Sequence, residues 1–306
     1  MALLSSQRIA EFLGKERIPW ESISGILHIT LLYDDASNAH LKNIKIQAPT
    51  APRNLFDFLL LNTTRARSSI VITSGATLRC EGGNEIKLCK PFDKDLQSWR
   101  RDNLGINGGT SFVMTKSGDL SPSWPIFSTP DSLFSPVIFA RENAVSGIQD
   151  RFTSSKVPIL PLSKFDECII DEEFDSFLNA LKKMLAAQGQ PTTWLPRASS
   201  KLIPHVISIE CGPTMTGPLY ETIDGKIRKD CPVDWLLLTR FSGDISSDAL
   251  GENVIQKNTI NHLFYLVISS SPSFTFSDNQ CGGASAIRSE PALNEWTFEL
   301  WKRRRL

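Results

Sequence analysis

Five consecutive residues in the last third of the chain have the types expected of a ligand-binding turn. They follow the apolar run at residues 206–209 and are Glu210, Cys211, Gly212, Pro213 and Thr214. A glycine lets a ligand approach the backbone, a proline suits the first helical turn, and a helix N-terminus attracts anions. The stretch therefore predicts a strand that gives way to a helix, with room for an anionic ligand at the turn.

Two other apolar runs also end in residues that suit a phosphate. Gly75 and Thr77 follow residues 69–73, where the threonine and free backbone N–H groups would hold a phosphate or ribose, or else cap an ordinary helix. Arg141 follows residues 136–140, where a guanidinium binds a phosphate such as the 2′-phosphate of NADP, or simply begins a solvated loop. Ligands of open α/β sheets bind beyond the carboxyl ends of the strands, so these junctions should share one edge.

Strand-like apolar runs alternate with helical patterns along the chain. The predicted strands are residues 25–33, 69–73, 111–115, 136–140, 157–162, 206–209, 234–239, 262–269 and 296–301, and the predicted helices are residues 54–67 and 172–188. Two prolines in the run at residues 157–162 suit an edge strand. The alternation indicates an α/β fold with a mostly parallel central sheet and helices on both faces, and the closing run of strands indicates an antiparallel C-terminal edge.

The sequence predicts one domain with an extension at its N-terminus. Apolar residues at helical spacing predict a helical extension over residues 1–24, and a single domain follows over residues 25–306. Polar, glycine-rich or proline-rich stretches near residues 82–107 and 189–204 predict loop insertions in that domain, because the strands on either side would share one sheet.

Composition excludes several classes of protein. Of 306 residues 41% are hydrophobic, and Lys+Arg and Asp+Glu both number 33, so the formal net charge is zero. A neutral chain has no overall attraction for nucleic acid or anionic membranes, and no stretch approaches the roughly 20 apolar residues that span a bilayer. The six cysteines form no C-x-x-C pair and the four histidines lie far apart, so we predict no metal site and expect free thiols in a cytoplasmic protein.

The order of these junctions resembles the reductase domain of riboflavin biosynthesis, whose dihydrofolate reductase-like fold has three layers. That family reads a first strand followed by S-x-D-[GA]-[KR], then a helix and a strand ending G-x-G-T-x-x-x-D, then an E-G-G junction, and then a strand that opens with V-D. At the corresponding places this chain reads LLYDDASNAH, SIVITSGATLRCE, VISIECGPT and VDWLLLTRFSGDI. The match runs from about residue 25 to residue 304.

The resemblance implies an NADPH-dependent reductase that transfers hydride to a ribosylamino-pyrimidine and opens its ribose to a ribityl chain. Together with the junctions above, it assigns cofactor binding to Gly75, Thr77, Arg141, Glu210, Cys211, Gly212, Pro213 and Thr214. It assigns substrate binding to Asn38, Asp35 and Glu81, and it identifies no catalytic residue. On the same ground we expect a homodimer that binds a small-molecule substrate.

Three positions depart from the family and leave alternatives open. Asn38 stands where the family has an aspartate, unless another register places Asp34 or Asp35 there, and an asparagine cannot be an anion. Cys211 replaces the first glycine of E-G-G, and two glycines follow Glu81 where the family has a proline. The substrate is therefore predicted to be pyrimidine- or pterin-like. The alternatives are a noncatalytic binding or scaffold protein that keeps the fold, and a hydrolase or transferase with a Cys211 nucleophile.

Overall fold

A largely parallel β-sheet is the central feature of the fold. The computed structural model describes residues 18–80, 94–128, 134–163, 205–222, 225–270 and 295–304. The strands are β1 (Gly25–Tyr33), β2 (His40–Ile44), β3 (Ile70–Ser74), β4 (Gly109–Thr115), β5 (Phe134–Ala140), β6 (Ile159–Pro161), β7 (Val206–Glu210), β8 (Trp235–Phe241), β9 (Leu250–Gln256), β10 (Phe264–Ser270) and β11 (Trp296–Arg303). The helices are α1 (Leu55–Arg67), α2 (Gly75–Cys80), α3 (Lys94–Asp102), α4 (Pro125–Ser128), α5 (Glu142–Arg151), α6 (Pro213–Tyr220) and α7 (Lys257–Leu263).

The order of the strands confirms the predicted topology. Along the sheet the order is β10-β11-β8-β1-β7-β3-β4-β5-β6, and every neighbouring pair from β8 to β6 is parallel. β11 pairs antiparallel with β8 and β10 pairs antiparallel with β11, which forms the expected antiparallel edge. The proline-flanked β6 ends the path, as predicted for an edge strand. The carboxyl ends of all the parallel strands therefore meet at one edge of the sheet.

Helices pack on both faces of the sheet, which gives the three layers. On one face Phe56 and Leu60 of α1 pack with Leu237 of β8 in a buried apolar cluster. On the other face Ile209 of β7 packs with Met215 of α6. Successive side chains of a strand point to opposite faces, so the parallel strands read as continuous apolar runs because both faces are covered.

Polar groups at both ends of α1 fix its length. Asn54 precedes the helix, and its Oδ1 accepts a hydrogen bond from the Phe56 N–H at 2.7 Å. At the other end, Arg100 of α3 donates from Nη1 to the carbonyls of Ala66 and Ser68 at 2.7 and 2.5 Å. Burial lowers the pKa of Arg100 to about 9, which still leaves the guanidinium charged at neutral pH. Its charge complements the negative C-terminal end of the helix dipole.

Several elements differ from the sequence-based expectation or lie outside the described residues. Helix α3 lies within the stretch predicted as a loop near residues 82–107, because Leu96 and Arg100 are buried on one side of it. The polar strands β2 and β9 were not predicted, since their stability comes from pairing with each other and with β1. The predicted helix at residues 172–188 and loop at 189–204 lie outside the described residues, as do residues 1–17 of the predicted extension. None of the described helices is long and apolar enough to cross a membrane.

Candidate functional site

The carboxyl edge of the sheet brings the predicted junctions into spatial order. β7 lies between β1 and β3, and Glu210 at its end is in register with Thr73 of β3. β4 follows β3, and its last residue Thr115 pairs with Ala140, directly before Arg141. The turns after β1, β7, β3 and β5 therefore lie along one edge, with the turn after β7 in a central position.

The turn between β7 and α6 has the predicted form and is open at its glycine. Gly212 is the N-cap of α6 and Pro213 occupies its first turn. Among the residues that the structure describes, no side chain caps this helix, and a Cβ atom built on Gly212 would meet no heavy atom within 4 Å. The backbone of Thr214 lies in the first turn, while its side chain lies outside the described residues. A helix N-terminus beside open space is suited to an anion.

Glu210 is held by an arginine that the sequence analysis did not identify. The Arg65 Nε lies 3.0 Å from each carboxylate oxygen of Glu210, and Nη2 donates to Oε2 at 2.7 Å. The two side chains are 6% and 7% exposed. Arg65 belongs to the last turn of α1, so the ion pair connects α1 to the end of β7. The carboxylate is therefore committed to this guanidinium rather than free to contact a ligand.

Cys211 is a core residue and does not have the properties of a nucleophile. Its side chain packs with Ile209 and Met215 on the α6 face, and its Sγ donates to the Ile72 carbonyl at 3.7 Å. Burial, and then the neighbouring Glu210 carboxylate, raise the pKa of the thiol well above its usual value. A thiol that stays protonated is a poor nucleophile, so the structure opposes a hydrolase or transferase that uses Cys211.

The turn between β3 and α2 is stabilised by its own side chains. The Ser74 Oγ accepts a hydrogen bond from the Thr77 N–H at 3.0 Å, and the two hydroxyls lie 2.9 Å apart. Ser74, rather than the expected Thr77, is therefore the helix cap. A Cβ atom on Gly75 would lie 3.1 Å from Leu120 and 3.2 Å from Thr115. Gly75 thus permits close packing within the protein, whereas the space at Gly212 is open among the described residues.

Arg141 lies where the sequence predicted and remains available for an anion. It is exposed and directly precedes α5, and its backbone N–H donates to the Thr115 carbonyl at 3.3 Å. Its guanidinium forms no ion pair with any residue in the described part of the chain. This position, two strands from β3, is compatible with a phosphate at one end of an extended ligand.

The predicted substrate residues in the loop after β1 mainly shape that loop. Asp35 Oδ1 accepts from the Ser37 N–H and hydroxyl at 2.9 and 2.7 Å, and this hydroxyl lowers the pKa of Asp35. Asn38 Oδ1 accepts from the His40 N–H at 2.9 Å, which stabilises the start of β2. Glu81 lies outside the described residues. The substrate assignments of these three residues therefore remain predictions.

Asp34, the alternative-register residue, belongs to a separate charged cluster. It pairs with Lys257 at 2.6 Å and with Arg240 at 3.0 Å, and Arg240 also pairs with Glu299 at 2.8 Å. Burial favours a higher pKa for Asp34, but the hydrogen bonds from Lys257 and Arg240 hold it below its usual value. Asp34 therefore carries a charge that is already matched, and the cluster links the loop after β1 to β8, β11 and α7.

Asp57 is an acid of α1 that was not predicted as a functional residue. Asp57 lies in the first turn of α1, and its Oδ1 accepts a hydrogen bond from the Thr239 hydroxyl of β8 at 2.5 Å. Burial raises the pKa of Asp57 to about 6, although the hydroxyl opposes this rise. Partly exposed Leu31 and Leu61 pack on the same face. The signal was a single acid within an otherwise apolar run, residues 55–61.

The fold defines a class of three-layer α/β protein with a mostly parallel sheet, whose open turn lies at the carboxyl edge. In particular, the chain is similar to a pyrimidine reductase-like protein from Corynebacterium diphtheriae, with 17% identity over 99% of this chain and 100% of the other, and a TM-score of 0.56. This likeness confirms the fold that the resemblance predicted.

Two more distant solved structures were also found. RibD of Acinetobacter baumannii is 11% identical over 92% of this chain and 59% of the other, with a TM-score of 0.47. Dihydrofolate reductase of Enterococcus faecalis, complexed with NADP(H), is 8% identical over 91% and 96%, with a TM-score of 0.37. No family model matches the sequence, and no curated protein matches it significantly.

Proposed function

We propose that this protein is a reductase of the pyrimidine reductase type, which uses NADPH and acts on a pyrimidine- or pterin-like substrate. The observation that carries the proposal is the open backbone at Gly212, beside an uncapped helix N-terminus at the centre of the carboxyl edge. The same edge carries an unpaired Arg141, within the described residues. The proposal is supported by the likeness of the fold to a pyrimidine reductase-like protein.

The residues of this edge fit the parts of a nicotinamide dinucleotide. The start of α6 would hold the pyrophosphate, because a helix N-terminus carries roughly half a positive charge and Gly212 leaves room for close approach. Arg141 would bind the adenosine 2′-phosphate through its guanidinium. When bound, NADPH supplies the hydride, and the role of the protein is to align the two reactants and exclude water.

Asp57 is the candidate source of the proton that accompanies a hydride in the reduction of a polar double bond. A carboxyl with a pKa of about 6 remains partly protonated near neutral pH, whereas an ordinary aspartate does not. The Thr239 hydroxyl holds one oxygen, and the Oδ2 atom has no hydrogen-bond partner in the described part of the chain. Asp57 would therefore present Oδ2 to a substrate on the α1 side of the edge.

One observation favours the alternative of a noncatalytic binding protein. Asp35 and Asn38, which the resemblance assigns to the substrate, are engaged in hydrogen bonds within their own loop. A noncatalytic relative would keep the fold and the open turn but turn over no substrate. A homodimer and a cytoplasmic location remain predictions for either function.

The test is a titration of the purified protein with NADPH and NADH, followed by thermal unfolding. Ligand at about 100 times its dissociation constant adds about 2.7 kcal/mol of stability, so binding is easily detected. Gly212→Ala should fold normally, because its Cβ has open space, yet weaken NADPH at least tenfold by occupying the ligand's approach.

Gly147→Ala is the matched control, since Gly147 also has open space around its Cβ position but lies on the exposed side of α5. It should leave NADPH binding unchanged and stabilise the helix by up to about 1 kcal/mol. Wild-type protein that shows no shift with either dinucleotide would reject the reductase proposal. Binding without reduction of pyrimidine or pterin substrates would favour the noncatalytic alternative.

A further inference from the structure

The Arg65–Glu210 ion pair lies at the end of β7, directly before the turn proposed to bind the phosphates of the dinucleotide. Glu210 ends β7, and Gly212 begins the open turn two residues later. An ionised carboxylate without a cation would repel the phosphates of a dinucleotide, and the repulsion is stronger where water is excluded. The pair as a whole is neutral, so the turn keeps the positive field of the α6 N-terminus.

Arg65 can hold this neutrality near neutral pH. A guanidinium keeps its charge there, and its two-point contact fixes the orientation of the carboxylate. The backbone that carries Arg65 is itself restrained, because the next carbonyl, that of Ala66, accepts a hydrogen bond from buried Arg100. The guanidinium is therefore presented from a fixed helix end.

We propose that Arg65 is a positioning residue of the dinucleotide site, which fixes the Glu210 carboxylate and cancels its charge so that this carboxylate does not repel the phosphates of the dinucleotide. The inference rests on the proposed function, and it requires no contact between Arg65 and the ligand. It differs from a purely structural role in one measurable respect, the pH dependence of binding once the guanidinium is removed.

The experiment measures dissociation constants for NADP⁺, which is stable in acid, by calorimetry from pH 5.5 to pH 8.5. Each variant is compared with wild type at the same pH, so that titration of the ligand itself cancels. Arg65→Met leaves Glu210 without its cation, and burial favours the protonated form of an unpaired carboxyl at low pH. We expect the ratio of dissociation constants, Arg65→Met over wild type, to rise at least tenfold between pH 5.5 and pH 8.5.

Removal of the carboxylate should abolish that pH dependence. For Glu210→Gln, and for the double variant Arg65→Met with Glu210→Gln, the ratio to wild type should stay constant with pH. Circular dichroism checks that each variant is folded. If Arg65→Met does not fold, Arg65→Gln replaces it, since the amide can donate a hydrogen bond but carries no charge, and the same rise is expected.

The outcomes separate this inference from the proposed function. If wild-type protein binds NADP⁺ but the ratio of dissociation constants for the folded Arg65 variant does not change with pH, the inference alone is overturned. A rise that persists in the double variant would also overturn it, because the effect would not come from Glu210. Folded wild-type protein that binds no dinucleotide at any pH would overturn the proposed function and the inference together.

Discussion

Asp57→Asn should stabilise this protein, and the gain should be larger at neutral pH than in acid. The Asp57 side chain is half-buried beside Thr239, and burial raises the pKa of its carboxyl from 3.8 to about 6. The folded state therefore binds a proton more tightly than the unfolded state does. An asparagine keeps an oxygen that can accept the Thr239 hydrogen bond but never carries the charge that burial disfavours.

The magnitude follows from the two pKa values. Each pKa unit corresponds to about 1.4 kcal/mol, so the ionised Asp57 costs the folded state about 3 kcal/mol above pH 6. The cost falls as pH decreases through about 6 and vanishes below about 3.8, where the carboxyl is protonated in both states. The linkage relation gives about 3 kcal/mol at pH 7.5 and about half of that at pH 5. If the asparagine does not fully restore the hydrogen bond to Thr239, the stability gain falls by the same amount at pH 7.5 and at pH 5.

Urea unfolding of wild type and Asp57→Asn at pH 7.5 and pH 5 measures this difference directly. For a chain of this length, 3 kcal/mol also corresponds to a rise in Tm of about 5 °C. Asp150→Asn, an exposed position in α5, is the matched control and should change stability by less than about 0.5 kcal/mol at both pH values. Destabilisation by Asp57→Asn at pH 7.5, or an equal gain at both pH values, would refute the reasoning.

Two further predictions concern arginines of different kinds. Arg141→Ala should weaken NADPH at least tenfold more than NADH in calorimetry, because only NADPH carries the 2′-phosphate, whereas the exposed Arg53→Ala should affect neither. Equal losses for both dinucleotides would remove Arg141 from the phosphate site. Arg100→Met should destabilise the protein by about 2–4 kcal/mol in urea unfolding, because the carbonyls at the end of α1 lose their donor. Arg101→Met, at the exposed neighbouring position, should lower the free energy of unfolding by less than about 0.5 kcal/mol. Equal effects of the two substitutions would contradict the capping role of Arg100.

The elements that the sequence predicted well are those whose signal lies within a short window. The run at residues 25–33 forms β1 with the predicted bounds, and the helix predicted at residues 54–67 begins one residue later, at Leu55, because Asn54 is its cap. Gly212 and Pro213 begin α6 as their residue types require. These features depend on side-chain hydrophobicity, backbone freedom and capping, which each residue carries wherever the chain places it.

The elements that the sequence missed depend on partners elsewhere in the chain. β2 and β9 contain few apolar residues, and their pairing joins segments about 200 residues apart. Helix α3 lies in a polar stretch, and its buried Arg100 is stabilised by the carbonyls at the end of another helix. A local pattern carries no signal for such elements, because their stability comes from contacts formed only after folding.

The sequence by itself determined the α/β class, the succession of the apolar strands and the position of the open turn at Gly212. Only the tertiary structure decided which ionisable groups meet which partners. Arg65 and Glu210 are 145 residues apart, and Asp57 and Thr239 are 182 residues apart, yet each pair is in hydrogen-bond contact. Burial and the nearest charge set the state of an ionisable group, and both are fixed by distances through space that no local stretch of sequence contains.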